Sequence, residues 1–183
     1  MDWSPKQSEV GAVSDIGSRI QESKNWFERA AEYVPGYKGY KSKELRREAD
    51  KLQRMYVAER LEAARRILEE LQLALSRQGN LELLGIMDTA QRKLRTVKDR
   101  YLFADYGYAG WFNAVKVKDD QLDQMYQLDV GAQEQARGIE EFMRAMSAES
   151  PTLRADISLL EQRVEALDEY FLEREHVITG VGR

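Results

Sequence analysis

The 183-residue sequence predicts an all-α protein, an antiparallel up-down helical bundle of four long helices plus a shorter N-terminal helix. Three observations predict it. Apolar residues recur at steps of three and four through most of the chain, the spacing of one helical face. Charged residues make up 33% of the sequence and prolines number only 3, a balance suited to long solvated helices. Glycine or proline separates the periodic stretches, where helices must end.

Residues 1–14, with Pro5 and Gly11, read as a flexible N-terminus, residues 15–176 as a single bundle domain, and residues 177–183 as a flexible tail. The short first helix starts near Asp15, buries Ile16, Ile20, Phe27, Ala31 and Val34, and ends at Pro35-Gly36. Ser42 caps the second helix, whose expected stripe is Leu45, Ala49, Leu52, Tyr56, Ala63, Ile67, Leu71 and Leu75. That helix spans about 50 Å at 1.5 Å per residue. Gly79 stops it, and Asn80 caps the third helix, with Leu83, Met87, Ala90, Leu94, Val97 and Tyr101 inward. The fourth helix starts near Asp119 and turns Leu122, Met125, Ala132, Ala136, Ile139, Met143 and Met146 inward. Gly131 and Gly138 each weaken it by about 1 kcal/mol relative to alanine. Ser150 and Pro151 begin the fifth, as a capping serine followed by proline at the first helical position. Its seam, Leu153, Ile157, Leu160, Val164, Leu167 and Phe171, alternates four and three. Such a seam closes the core of one chain or zips two copies into a homo-oligomer.

The functional lead is a pair of glycine–aromatic motifs, PGYKGYK at residues 35–41 and DYGYAGWF at residues 105–112. Sequential antiparallel helices bring both to one end of the bundle. The third helix is shorter than the second, so it stops level with about Arg54, and Trp111, Phe112 and Val115 fill the gap beside the overhang. The expected partner-binding set is Tyr37, Lys38, Tyr40, Lys41, Tyr106, Tyr108, Trp111 and Phe112: aromatic anchors with a lysine rim for a protein partner. The same rings also serve as a cap over the open bundle end, hydrogen-bonded to loop backbone.

Charge is unevenly spread over a chain whose net charge is −4. Basic residues concentrate in residues 36–66 and 92–118, acidic ones in residues 119–183. Lys43, Arg46, Arg47, Arg92, Arg95 and Lys98 form an expected basic face, able to bind nucleic acid or membrane phosphates, the alternative reading. Internal neutralisation by Asp119, Asp120, Asp123, Glu169, Glu173 and Glu175 competes with that use.

Catalysis has little to work with. Cysteine is absent, which excludes thiolate and disulfide chemistry. The one histidine, His176, sits in a Glu-x-x-His spacing, but a carboxylate-bridged di-iron site needs two such motifs, so no metal or cofactor is expected. Neither a phosphate-binding loop nor a dinucleotide fingerprint occurs. Glu69/Glu70 and Glu140/Glu141 are adjacent and point in different directions, as expected of solvated faces. The chain therefore reads as a non-enzymatic interaction or scaffold protein. The first thirty residues hold no apolar leader and no apolar run has membrane length, so the expected location is the cytoplasm. PGYKGYKSKELRREADKLQR together with DYGYAGWFNAVKV resembles uncharacterised bacterial all-helical proteins. The resemblance implies a bacterial source and brings no activity, cofactor or binding residue with it.

Overall fold

The computed structural model describes residues 43–104 and 119–179, and its regular structure there is entirely helical. The helices are α1 (Lys43–Arg77), α2 (Leu81–Phe103), α3 (Asp119–Ala145) and α4 (Leu153–Thr179). The expected N-terminal helix and Ser42 lie outside the described residues.

Local signals act where the sequence places them. Gly79 takes φ of 73°, the left-handed conformation that costs glycine little. The amide of Asn80 then donates to the Leu75 carbonyl at 3.1 Å, and that of Gly79 to the Ser76 carbonyl at 3.1 Å, so the last turn of α1 keeps its acceptors occupied. Asn80 Oδ1 accepts the Leu83 amide at 3.4 Å and starts α2. At α4 the start shifts from the expected Pro151: Ser150 Oγ accepts the Thr152 amide at 3.3 Å, Pro151 and Thr152 form a turn, and the helix begins at Leu153.

Cross-helix contacts set the directions. Gln72 meets Asp88, Glu69 meets Gln91, Glu62 meets Lys98, and Arg54 meets the Tyr101 carbonyl, so α1 and α2 run antiparallel. In α3 and α4, Gly138 faces Arg163, Gly131 faces Tyr170, and Asp129 meets Arg174, again antiparallel. Between these hairpins the order is parallel. Gln53 and Arg60 of α1 reach Asp129 and Glu140 of α3, while Lys93 and Arg100 of α2 reach Glu161 and Asp168 of α4. The principal packing pairs are thus α1 with α2, α1 with α3, α3 with α4 and α2 with α4. This corrects the expectation that every consecutive pair is adjacent. Short turns force neighbours at residues 78–80 and 146–152, but the chain from Ala104 to Asp119 is not short.

Burial confirms the α4 seam: all six residues, from Leu153 to Phe171, are at most 4% exposed in a single chain. The seam thus closes this chain's own core. In α2 the expected face is buried from Met87 to Tyr101, with Leu83 half-buried. In α3 the expected set is buried except Met146, with Leu128 added. The α1 stripe needs correction. Ala49, Leu71 and Leu75 are buried, but Leu52, Tyr56, Ala63 and Ile67 are only half-buried. Val57, Leu61, Ala64 and Leu68 take the core instead. Repeated steps of four advance about 40° per step around a helix of 3.6 residues per turn, so the expected stripe drifts off the core face. The tail boundary also moves: α4 continues to Thr179, with Val177 and Ile178 buried.

Candidate functional site

The eight expected partner-binding residues, Tyr37, Lys38, Tyr40, Lys41, Tyr106, Tyr108, Trp111 and Phe112, lie outside the described residues. So does the expected filling of the gap by Trp111, Phe112 and Val115. The helix ends next to them are described. Arg54 Nη1 donates to the Tyr101 carbonyl at 3.1 Å, which makes α2 finish level with Arg54 and leaves the first turns of α1 overhanging. At that finish Leu102 is 43% and Phe103 66% exposed.

Lys43, Arg46 and Arg47 lie in the opening turns of α1. On α2, Arg92 donates to the Thr89 hydroxyl at 3.1 Å, and Arg95 lies 3.7 Å from Asp99 with its side chain 76% exposed. Lys98 is half-buried and donates to Glu62 Oε2 at 3.0 Å. Among the described side chains, part of the basic face is therefore neutralised internally, by Glu62 and Asp99.

The most elaborated polar arrangement lies outside every sequence expectation. Asp50, Gln53 and Arg54 of α1, Asp129 of α3 and Arg174 of α4 are all at most 4% exposed. Arg174 Nε donates to Asp129 Oδ1 at 2.7 Å, and its Nη2 donates to Asp50 Oδ1. Arg54 Nε donates to the other oxygen of Asp50 at 3.1 Å. Gln53 Nε2 donates to the Asp129 carbonyl at 2.6 Å, and Gln53 Oε1 accepts from Gln133. Through the Tyr101 carbonyl the layer touches all four helices. Two arginines balance two aspartates. Burial works against the charge of Arg174, but Asp129 and Asp50 outweigh it and hold its pKa above the ordinary arginine range. Among the described residues, Arg174 Nη1 has no hydrogen-bond partner.

This layer divides the apolar interior. On one side is the main core, running from Leu75, Met87, Met143 and Leu153 to Val57, Tyr101 and Phe171. On the other is a smaller cluster of Ala49, Leu122, Met125, Leu128, Val177 and Ile178. A sequence signal for the layer exists. Continuing the alternation of three and four puts Asp50 and Arg54 ahead of Val57, Asp129 between Met125 and Ala132, and Arg174 between Phe171 and Ile178. A charged residue in a seam position marks a buried charge needing a partner.

Glu140 is a second departure from expectation. Glu69, Glu70 and Glu141 are exposed, but Glu140 is buried and accepts from Arg60 at 2.9 Å and Arg144 at 2.6 Å. Burial pushes its pKa up, and the bonds from Arg144 and Arg60 outweigh this and lower it. A groove of about 330 Å³ between α2 and α4 is lined by Thr89, Arg92, Lys93, Thr96, Glu165 and Asp168 over Val97 and Val164. Lys93 is paired there with Glu161 and Glu165, and Asp168 with Arg100. His176 is exposed in the last turn of α4. Among the described residues no group of three His, Cys, Asp or Glu could hold a metal ion, and no helix is long and apolar enough to cross a membrane. No family model matches the chain, and neither curated proteins nor solved structures provide a match.

Proposed function

We propose that the chain is a non-enzymatic interaction or scaffold protein of the cytoplasm, a bundle of four long helices with a shorter N-terminal helix. It docks a protein partner at the end where α1 begins and α2 finishes. The supporting observation is the exposure of Leu102 and Phe103, large apolar side chains placed just before the DYGYAGWF motif. Exposed apolar groups next to Tyr106, Tyr108, Trp111 and Phe112 supply contact area, and Lys38 and Lys41 a polar rim. The antiparallel course of α1 and α2 supports placing both motifs at one pole, since one leads into the start of α1 and the other out of the end of α2.

The second reading, an anionic-surface binder, draws on Arg92 and Arg95, which stay exposed with at most one distant carboxylate. The pairing of Lys98 weakens it. Pull-down from the source cell with wild type and with Phe103→Ser/Trp111→Ala tests the first reading. A partner held by the wild type and lost by a variant of unchanged circular dichroism and melting supports it. Retention of every partner by the variant rejects it. Binding to DNA, RNA and anionic vesicles at two salt concentrations tests the second, which requires a steep salt slope.

A further inference from the structure

We infer that the buried layer of Asp50, Asp129, Arg54 and Arg174 is a built-in breakpoint, and that the bundle end beyond it opens as one cooperative unit while the main core stays folded. This opening needs no partner and does not depend on the docking proposed above.

Three features support it. First, the buried members of the two apolar clusters are separated by charged groups, with only the half-buried Ala104 and Tyr170, among the described residues, packed against both. On each of three helices the order is the same: small cluster, charge, main core. It runs Ala49, Asp50 and Arg54, Val57 on α1; Leu128, Asp129, Ala132 on α3; and, in reverse, Phe171, Arg174, Val177 on α4. Second, the contributors to the small cluster are helix termini at one pole, the starts of α1 and α3 and the finish of α4. The turns at residues 78–80 and 146–152 lie at the opposite pole, and the connection that joins the finish of α2 to the start of α3, residues 105–118, lies outside the described residues. Third, opening lets water reach charges whose burial is costly. Hydration recovers part of the desolvation cost of four ionised side chains and supplies a partner for Arg174 Nη1. Alongside the main core the one buried charged side chain among the described residues is Glu140, so opening it exposes chiefly apolar surface. Local opening below the global unfolding free energy is the ordinary behaviour of units with few buried apolar contacts.

Native-state hydrogen exchange at rising sub-denaturing urea tests this on the full chain. The expected result is one opening free energy and one urea slope shared by amides of residues 49–53, 123–130 and 174–179. After correction for intrinsic rates, these amides should exchange at least about tenfold faster than those of Leu61, Leu68, Leu94 and Leu160 in the main core. Leu122→Ala should speed exchange at least about tenfold in all three end segments, α4 included, and leave the main-core amides unchanged. The apolar replacement Asp50→Leu/Arg54→Met/Asp129→Leu/Arg174→Met merges the clusters, and end amides then slow toward the main-core rate. A smooth gradient of protection along each helix, or a Leu122→Ala effect confined to α3, overturns the inference. Neither of these two readouts requires the quadruple variant to fold.

Discussion

Arg174 Nε donates to Asp129 Oδ1 at 2.7 Å, with side chains 2% and 3% exposed, so two charges from different helices meet out of reach of water. Such a pair is costly to break and not especially favourable to keep. Arg174→Met alone leaves two carboxylates buried with one arginine and is expected to cost about 3–5 kcal/mol. Replacing Asp50, Arg54, Asp129 and Arg174 together by apolar residues is expected to restore that loss or exceed it, because no buried charge of the layer is then left without its partner. Urea denaturation midpoints of the single and quadruple variants measure the contrast.

Gly131 and Gly138 lie about two turns apart on α3 and should respond oppositely to alanine. A Cβ on Gly131 would come within 2.9 Å of Tyr170 Cζ, whereas one on Gly138 meets only Arg163 Nη1 at 3.8 Å. Gly138→Ala is expected to stabilise by about 0.5–1 kcal/mol through helix propensity. Gly131→Ala is expected to destabilise by about 1 kcal/mol or more, because the Tyr170 ring must leave its seat. In a Tyr170→Leu background the Gly131 substitution should turn favourable. Thermal melts of these variants test the sign change.

The turn between α1 and α2 offers a backbone test. At φ of 73°, Gly79 has open space around it, so only conformation resists a side chain. Gly79→Ala is expected to cost about 1–2 kcal/mol, and Gly79→Asn less, since asparagine tolerates that region. Equilibrium unfolding of both variants distinguishes backbone strain from a packing effect, which would penalise the larger asparagine more.

Glu62 should make stability depend on pH. Its bond from Arg65, helped by that from Lys98, outweighs desolvation and lowers its pKa to about 2. The folded value lies below the ordinary one of 4.5, so the stabilisation is present above that pH and is lost as pH falls toward about 2. The group is partly solvated, so the contribution is modest, about 0.5–1 kcal/mol. Glu62→Gln should lower stability by that amount near neutral pH, and the difference should vanish by pH of about 2. Urea titrations across this range provide the check.

The α4 seam, the Gly79 stop, the Asn80 cap and the level at which α2 ends are legible in the sequence, because local spacing and backbone chemistry set them. The α1 stripe is not: Tyr56, Ala63 and Ile67 each sit one position from the buried Val57, Ala64 and Leu68, and either choice fits a helical face until drift is counted. The polar layer is legible only in part. Charged residues occupy seam positions, but Asp50 and Arg174 stand 124 positions apart. Helices, their ends and most inward faces follow from the order of residues alone, since hydrogen bonding and periodicity within a few residues define them. That the two hairpins stack with α1 beside α3 and α2 beside α4, and that Arg174 finds both aspartates, emerges only from packing across the bundle. Those outcomes depend on which buried surfaces and charges satisfy one another, a condition no local stretch contains.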